Sequence, residues 1–253
     1  MPTRAFTAPV AGPLTLDITA AQMELIVRVV PGLPEASLSL NGPAEIVDGA
    51  AARISGGRWM VTLPDPEPTV VATGGTVFTN TGVGTVVTGT VINGGIMTTS
   101  GTTIINGTVV SGGRTAEPVT AVVQMPEGSA LRSRIANGAV RTTGHLAEVD
   151  HQGHNTSLHV DSATDVTAET HNGHLDIDRA IGTVDADTHN GGITVAATGT
   201  HTQTRTHNGP VDITAASDGP ISARTHNGPI TVHTNGHRPN VRTRTHNGAE
   251  RVL

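Results

Sequence analysis

An all-β chain built on a single-stranded β-solenoid (β-helix) is what this sequence predicts, and three observations carry the prediction. A Thr-His-Asn-Gly motif recurs at a near-constant spacing through the C-terminal half. Small, β-favouring residues dominate, with 40 Thr and 31 Gly among 253 positions. Aromatics are almost missing: Phe6, Phe78 and Trp59 make up the 1%. A conventional core of this size draws on Phe, Tyr and Trp, which bury the most area per residue. A thin solenoid has no room for them.

Composition also removes whole classes of function. The net charge is -6, and all 15 basic residues are Arg, so no basic surface invites nucleic acid. Without cysteine there is neither a disulfide framework nor a thiolate metal site. No apolar run approaches the ~18 residues of a membrane span; Leu25-Ile26-Val27 is broken at once by Arg28. The stretch from Met1 to Ala11 lacks the continuous apolar core of a signal peptide. The expectation is therefore a cytoplasmic protein without membrane insertion.

Three regions follow one another. Residues 1–69 read as a small N-terminal β domain. Leu14-Thr15-Leu16-Asp17-Ile18 alternates with period two, and Met23 to Val30, Ala36 to Leu40 and Arg58 to Leu63 read as further strands. Trp59 sits inside the last of these, as a core anchor. Pro64-Asp65-Pro66-Glu67-Pro68 suits neither helix nor central strand and marks a boundary. Residues 70–113 form a Gly/Thr/Val-rich low-complexity insertion. Its apolar pairs, Val86-Val87, Val91-Ile92, Ile96-Met97, Ile104-Ile105 and Val109-Val110, fit irregular hairpins or coils better than a disordered loop.

Residues 114–253 hold the repeat. Its reference Asn falls at Asn137, Asn155, Asn172, Asn190, Asn208, Asn227 and Asn247, giving spacings of 18, 17, 18, 18, 19 and 20. Six residues before it stand Leu131, Val149, Val166, Val184, Thr202, Ile221 and Val241. Two before it a Thr column begins at Thr170; three and five after it, apolar pairs such as Ile193 and Val195 recur. Period-two spacing on both sides of Asn-Gly describes two short strands and a corner. Identical units stacked in parallel bury a continuous core that one unit cannot form. The repeat therefore predicts about seven coils of 17–20 residues, a rod roughly 30 Å long at ~4.8 Å per coil. Asn-Gly is expected at the corner because both residues tolerate positive φ, and stacked Asn side chains can bond from coil to coil. Glu250 and Arg251 read as a polar cap on the last coil.

Met125-Pro126-Glu127-Gly128-Ser129, followed by repeating strand, small-residue-Gly corner and strand, resembles the bacterial putative-adhesin family of β-strand-repeat domains of unknown function. That family has Ser-Gly-Asp-Ile or Ser-Gly-Asp-Val where this chain has Asn227-Gly228-Pro229-Ile230. A short β domain ahead of the repeat and a Gly-rich insertion look similar too. The resemblance implies a β-solenoid and nothing catalytic. The His column of this chain departs from the family's usual Thr or Ser.

That column is the candidate site. His154, His171, His189, His207, His226 and His246 each precede the reference Asn and alternate against the inward Thr column, which puts them outside at ~4.8 Å intervals. Three readings stand side by side. The rings stack and shape the corner; or neutral imidazoles on adjacent coils bind zinc or copper, with His233, His237, Asp176 or Asp212 adding ligands; or the ladder senses pH, since full protonation of 13 His carries the chain from -6 to +7. Three residues before the Asn, Arg134, Gln152, Glu169, Asp187, Arg205, Arg224 and Arg244 form an outward charged column.

Catalysis finds no support. Gly-x-Ser-x-Gly, phosphate-loop and His-Glu-x-x-His patterns are all absent. Asp176 and Asp212 share a column two coils apart, about 10 Å, a poor acid/base pair. Thr204 and Thr206 fall in the inward phase, which argues against an outward Thr array. The sequence thus predicts a non-enzymatic structural or adhesin-like interaction surface, for a protein or glycan partner or for self-association. The alternative is a His-ladder module that binds a transition metal or responds to pH.

Overall fold

Period-two alternation of apolar and polar residues turns one side of each strand inward, and this chain keeps that alternation over most of its length. The computed structural model describes residues 2–65 and 118–253, and between them the backbone of five short strands. Two compact units form, Met1–Leu63 with Pro118–Leu253, and Pro64–Glu117.

The first unit begins with β1 (Thr3–Ala11), β2 (Thr15–Val29), β3 (Glu35–Asn41), the short helix α1 (Ala44–Gly49), β4 (Ala51–Ser55) and β5 (Arg58–Thr62). The second unit has β6 (Val71–Thr73) antiparallel to β7 (Thr76–Phe78). It also holds a meander of β8 (Ile96–Thr99), β9 (Thr102–Ile105) and β10 (Thr108–Val110). Val86-Val87, Val91-Ile92 and Pro66 to Pro68 lie outside the described residues.

The first unit resumes with β11 (Val119–Met125) and β12 (Ala130–Asn172), which runs through the corners at Asn137 and Asn155 as one strand. Shorter strands follow: β13 (Leu175–Ile177), β14 (Thr183–Asn190), β15 (Ile193–Val195), β16 (His201–Asn208) and β17 (Val211–Thr214). The series ends with β18 (Ile221–Asn227), β19 (Ile230–His233), β20 (Val241–Arg244) and β21 (Glu250–Val252). Each coil lays a longer strand on the preceding longer strand and a shorter one on the preceding shorter one, all parallel. Val184 meets Thr202 and Asn190 meets Asn208, while Ile193 meets Val211. The result is an all-β, solenoid-like fold in one 16-stranded sheet. Its core is a narrow file of Val, Ile, Leu, Ala and Thr, including Val184, Ala186, Thr188, Ile193 and Val195.

That sheet does not stop at the first repeat. β2 pairs parallel with β12 from Thr15↔Ala130 to Arg28↔Thr143, with Gln22 opposite Asn137. The stretches expected as two strands, Leu14–Ile18 and Met23–Val30, are therefore one strand bent through a corner. On β2 lies a further rung made from two distant segments, β5 against its first half and β11 against its second. Trp59, 1% exposed, fills the column of Leu16 and Leu131. Antiparallel strands then finish this end, β4 on β5, β3 on β11 and β1 on β3. Helix α1 buries Ile46 and Val47. Arg4 donates to the carbonyls of Val47, Asp48 and Ala50 and so satisfies the open C-terminus of the helix.

At the other end Glu250 takes the inward register opposite Ile230. Its carboxylate accepts from Thr243 Oγ1 at 2.6 Å and from Thr245 N at 2.8 Å. Those bonds hold its pKa below the ordinary carboxylate value.

Candidate functional site

The four motif residues each do a different job at the corner. The Thr hydroxyl points inward and ties its coil to the one before: Thr188 Oγ1 donates to Gly173 O at 3.3 Å and Thr206 Oγ1 to Gly191 O at 3.0 Å. The Asn side chains form a ladder, each Nδ2 donating to the Oδ1 of the preceding coil. It runs from Asn247 through Asn227, Asn208, Asn190, Asn172 and Asn155 to Asn137 at 2.7–2.8 Å. Asn137 passes it on to Ala21 O at 3.2 Å.

The Gly is there for a reason other than the expected one. None of the reference Asn residues has positive φ, and of the glycines that follow them only Gly138 does. The backbones of successive corners instead run so close that a Cβ on Gly191 or Gly209 would sit 1.9 Å from the preceding Gly carbonyl oxygen. Contact between coils, not turn handedness, excludes a side chain there.

The His rings stand outside, exposed, and stack face to face. Centroids of His154, His171, His189, His207, His226 and His246 are 4.7–4.9 Å apart, with planes parallel within 9°. Parallel rings keep like nitrogens apart by about the same distance, whereas tetrahedral zinc with ~2.0–2.1 Å bonds needs them ~3.3 Å apart. Stacking therefore holds the ladder away from metal geometry. Among the described residues, no three His, Asp or Glu side chains converge as a metal site. The extra ligands considered above go elsewhere: His233 faces Asp212 at 3.7 Å, and His237 faces Asp218 at 3.6 Å. Asp176 and Asp212 flank Thr194 in their column.

Beside the ladder runs the charged column three residues before each Asn. Together the two line a shallow groove of about 570 Å³, whose walls include His171, His189, His207, Glu169, Asp187 and Arg205. Asp187 lies 3.9 Å from Arg205. Partial burial raises the Asp187 pKa, Arg205 pulls it down, and Glu169 and Asp185 push it up again.

A further histidine escaped the sequence reading. His151 is fully buried, four residues before Asn155, in the inward column otherwise held by Ser133, Ala168, Ala186, Thr204 and Ala223. Its Nδ1 is 2.9 Å from Ser133 Oγ, and its Nε2 has no hydrogen-bond partner. Burial lowers its pKa from 6.5 to about 4, with Asp150 opposing. The signal was available, since the four-before column is inward in every other coil.

Fold and face together make the first unit a solenoid-like stack of strands with an ordered outer surface. Among solved structures the chain is similar to a putative adhesin from Bacteroides fragilis NCTC 9343, at 9% identity and a TM-score of 0.55. That alignment covers 99% of this chain and 96% of that one. At such identity the likeness shows a shared fold. A putative adhesin from Parabacteroides distasonis ATCC 8503 aligns over the same shares at 8% identity and a TM-score of 0.37. No protein-family model and no curated protein matches the chain. No helix among the described residues is long and apolar enough to cross a membrane.

Proposed function

We propose that the protein is a noncatalytic, adhesin-like interaction rod whose binding surface is the outer face of the longer strands. One observation carries the reading: side chains on that face are held at fixed intervals by a stack that has no use for them in its core. Six imidazoles lie parallel within 9°, and the column beside them carries exposed Arg205, Arg224 and Arg244. Rigid presentation lowers the ordering cost of binding, which favours a scaffold over a loop. That the similar Bacteroides fragilis structure is of a putative adhesin supports the same reading. Acidic glycans suit the Arg-rich end, because guanidinium groups bind carboxylate or sulfate through paired N–H donors.

The test passes beads coated with the protein over immobilised acidic and neutral glycans. Retention on acidic glycans that falls at least tenfold when Arg224→Ala, Arg242→Ala and Arg244→Ala are combined supports the reading. Nil retention of the wild type, or equal retention of the variant, overturns it.

A further inference from the structure

Charges on this face are segregated over the six coils from Asn155 to Asn247. Five and three residues before the Asn, the coils of Asn155, Asn172 and Asn190 carry Asp150, Glu169, Asp185 and Asp187. The coils of Asn208, Asn227 and Asn247 carry Arg205, Arg224, Arg242 and Arg244 in the same two columns. In the coil of Asn137 these columns hold Arg132 and Arg134, which face Asp150 and Asp17 at 2.7 and 3.6 Å. Stacking like charges on adjacent strands is unfavourable, and alternation would have avoided it. Within the chain the compensation is partial. Asp150 is held by Arg132 at 2.7 Å and Asp187 by Arg205 at 3.9 Å. Asp185 accepts from Gln203 at 3.2 Å. Among the described residues, Glu169, Arg224, Arg242 and Arg244 have no ion-pair partner within 4.0 Å.

We infer that this face docks against the same face of a second copy of the chain, in antiparallel fashion. The proposal rests on the reading of the outer face as the interaction surface and names its partner. A two-fold axis along the strand direction, placed between the coils of Asn190 and Asn208, reverses the order of coils and keeps the order of columns. Asp187 then faces Arg205 of the second copy, Glu169 faces Arg224, and Asp150 faces Arg242. The remaining positions oppose Gln152 to Arg244, Asp185 to Gln203 and Thr167 to Ser222. No like charges meet in these two columns. In the six coils that meet, four carboxylates and four guanidinium groups on each copy balance, and the segregation that is unfavourable in one chain becomes complementary in two.

Even spacing makes the match extend along the stack: beside these columns the ring centroids of the His ladder recur every 4.7–4.9 Å over six coils. Six coils at ~4.8 Å by a strand width of about 20 Å give about 600 Å² on each copy, the low end for specific interfaces. A weak dimer is expected from so small an area, further weakened by salt because the pairs are exposed.

Analytical ultracentrifugation from 1 to 300 μM in 50 mM salt reads the association directly. Wild type is expected to dimerise, and 500 mM salt to weaken it at least tenfold. Arg224→Glu and Glu169→Arg should each leave a monomer. Both relieve like-charge stacking in their own column, so each variant should melt no lower than wild type. Mixing the two variants restores both pairs across the axis and should return a heterodimer; the double variant should again self-associate. A wild type monomeric throughout, or dimers indifferent to the two single changes, overturns the proposal. Retention on glycans by a monomeric wild type would leave the adhesin-like reading standing while this one falls.

Discussion

A buried imidazole with a single hydrogen-bond partner is a pH-sensitive element in any core, and His151 is such a group. Its folded pKa is about 4, against 6.5 for the free side chain, because burial disfavours the cation and the charge of Asp150 only partly offsets this. The unfolded chain therefore takes up a proton first as pH falls. The stability His151 leaves intact above pH 6.5 is lost progressively between 6.5 and 4, by about 3 kcal/mol in all. Urea unfolding at pH 7.5 and 4.5 checks this. His151→Ala, which places in this coil the residue found at Ala168 and Ala186, should lower stability at pH 7.5 through a cavity and flatten the loss between the two pH values. An unchanged slope would remove His151 as its source. The ladder histidines carry a separate expectation. Their 4.7–4.9 Å stacking leaves zinc without a tetrahedron, so calorimetric titration at pH 7.5 should show no submicromolar site. Such a site, abolished by His189→Ala with His207→Ala, would mean that the rings leave the stack to coordinate.

The corner is a single element repeated, and its Gly shows what spacing alone conveys. A Cβ on Gly209 meets Gly191 O at 1.9 Å and Gly191 C at 2.5 Å. Both atoms are backbone and cannot yield without parting two coils. Gly209→Ala should cost more than ~3 kcal/mol, the range of strained or overpacked core sites. Gly236→Ala, at φ +84 with nothing within 4 Å of its Cβ position, should cost only ~1 kcal/mol from its left-handed backbone. Comparable losses at both sites would return the corner to a conformational explanation. Periodicity revealed the recurrence of Asn and Gly, the outward His and the inward Thr, because each recurs by type. It did not reveal the close approach, which is a relation between backbones. It also passed over the rung in β2, where Gln22 stands for the Asn and Met23 for the Gly. What marks that rung is a slip in alternation, Leu16, Ile18, Ala20 and then Met23, Leu25, Val27, the same slip each Asn-Gly corner makes. The partner rung was hidden for a different reason: β5 and β11 belong together in space, while residues 64–117 separate them in sequence.

Along the whole rod each coil touches only its neighbours, so stability is a sum of coil and interface contributions and a break is felt locally in both directions. Val211 is 1% exposed and lies between Ile193 and Ile230. Val211→Asp buries a carboxylate with no partner, a cost above ~3 kcal/mol. The same change at Val252, 52% exposed in the final rung, should stay within ~0.5 kcal/mol. The distribution of damage is more telling than its size. Coils on the Asn247 side of Val211 have lost their template. Those on the Asn137 side remain stacked on β2 and on the rung of β5 and β11 beyond it. Hydrogen exchange in Val211→Asp should therefore accelerate across β17 to β21 while β11 and the first half of β12 keep their protection. Uniform acceleration from end to end would mean that the rod unfolds as one cooperative block, with the N-terminal rungs and the repeats inseparable in energy as they are in pairing.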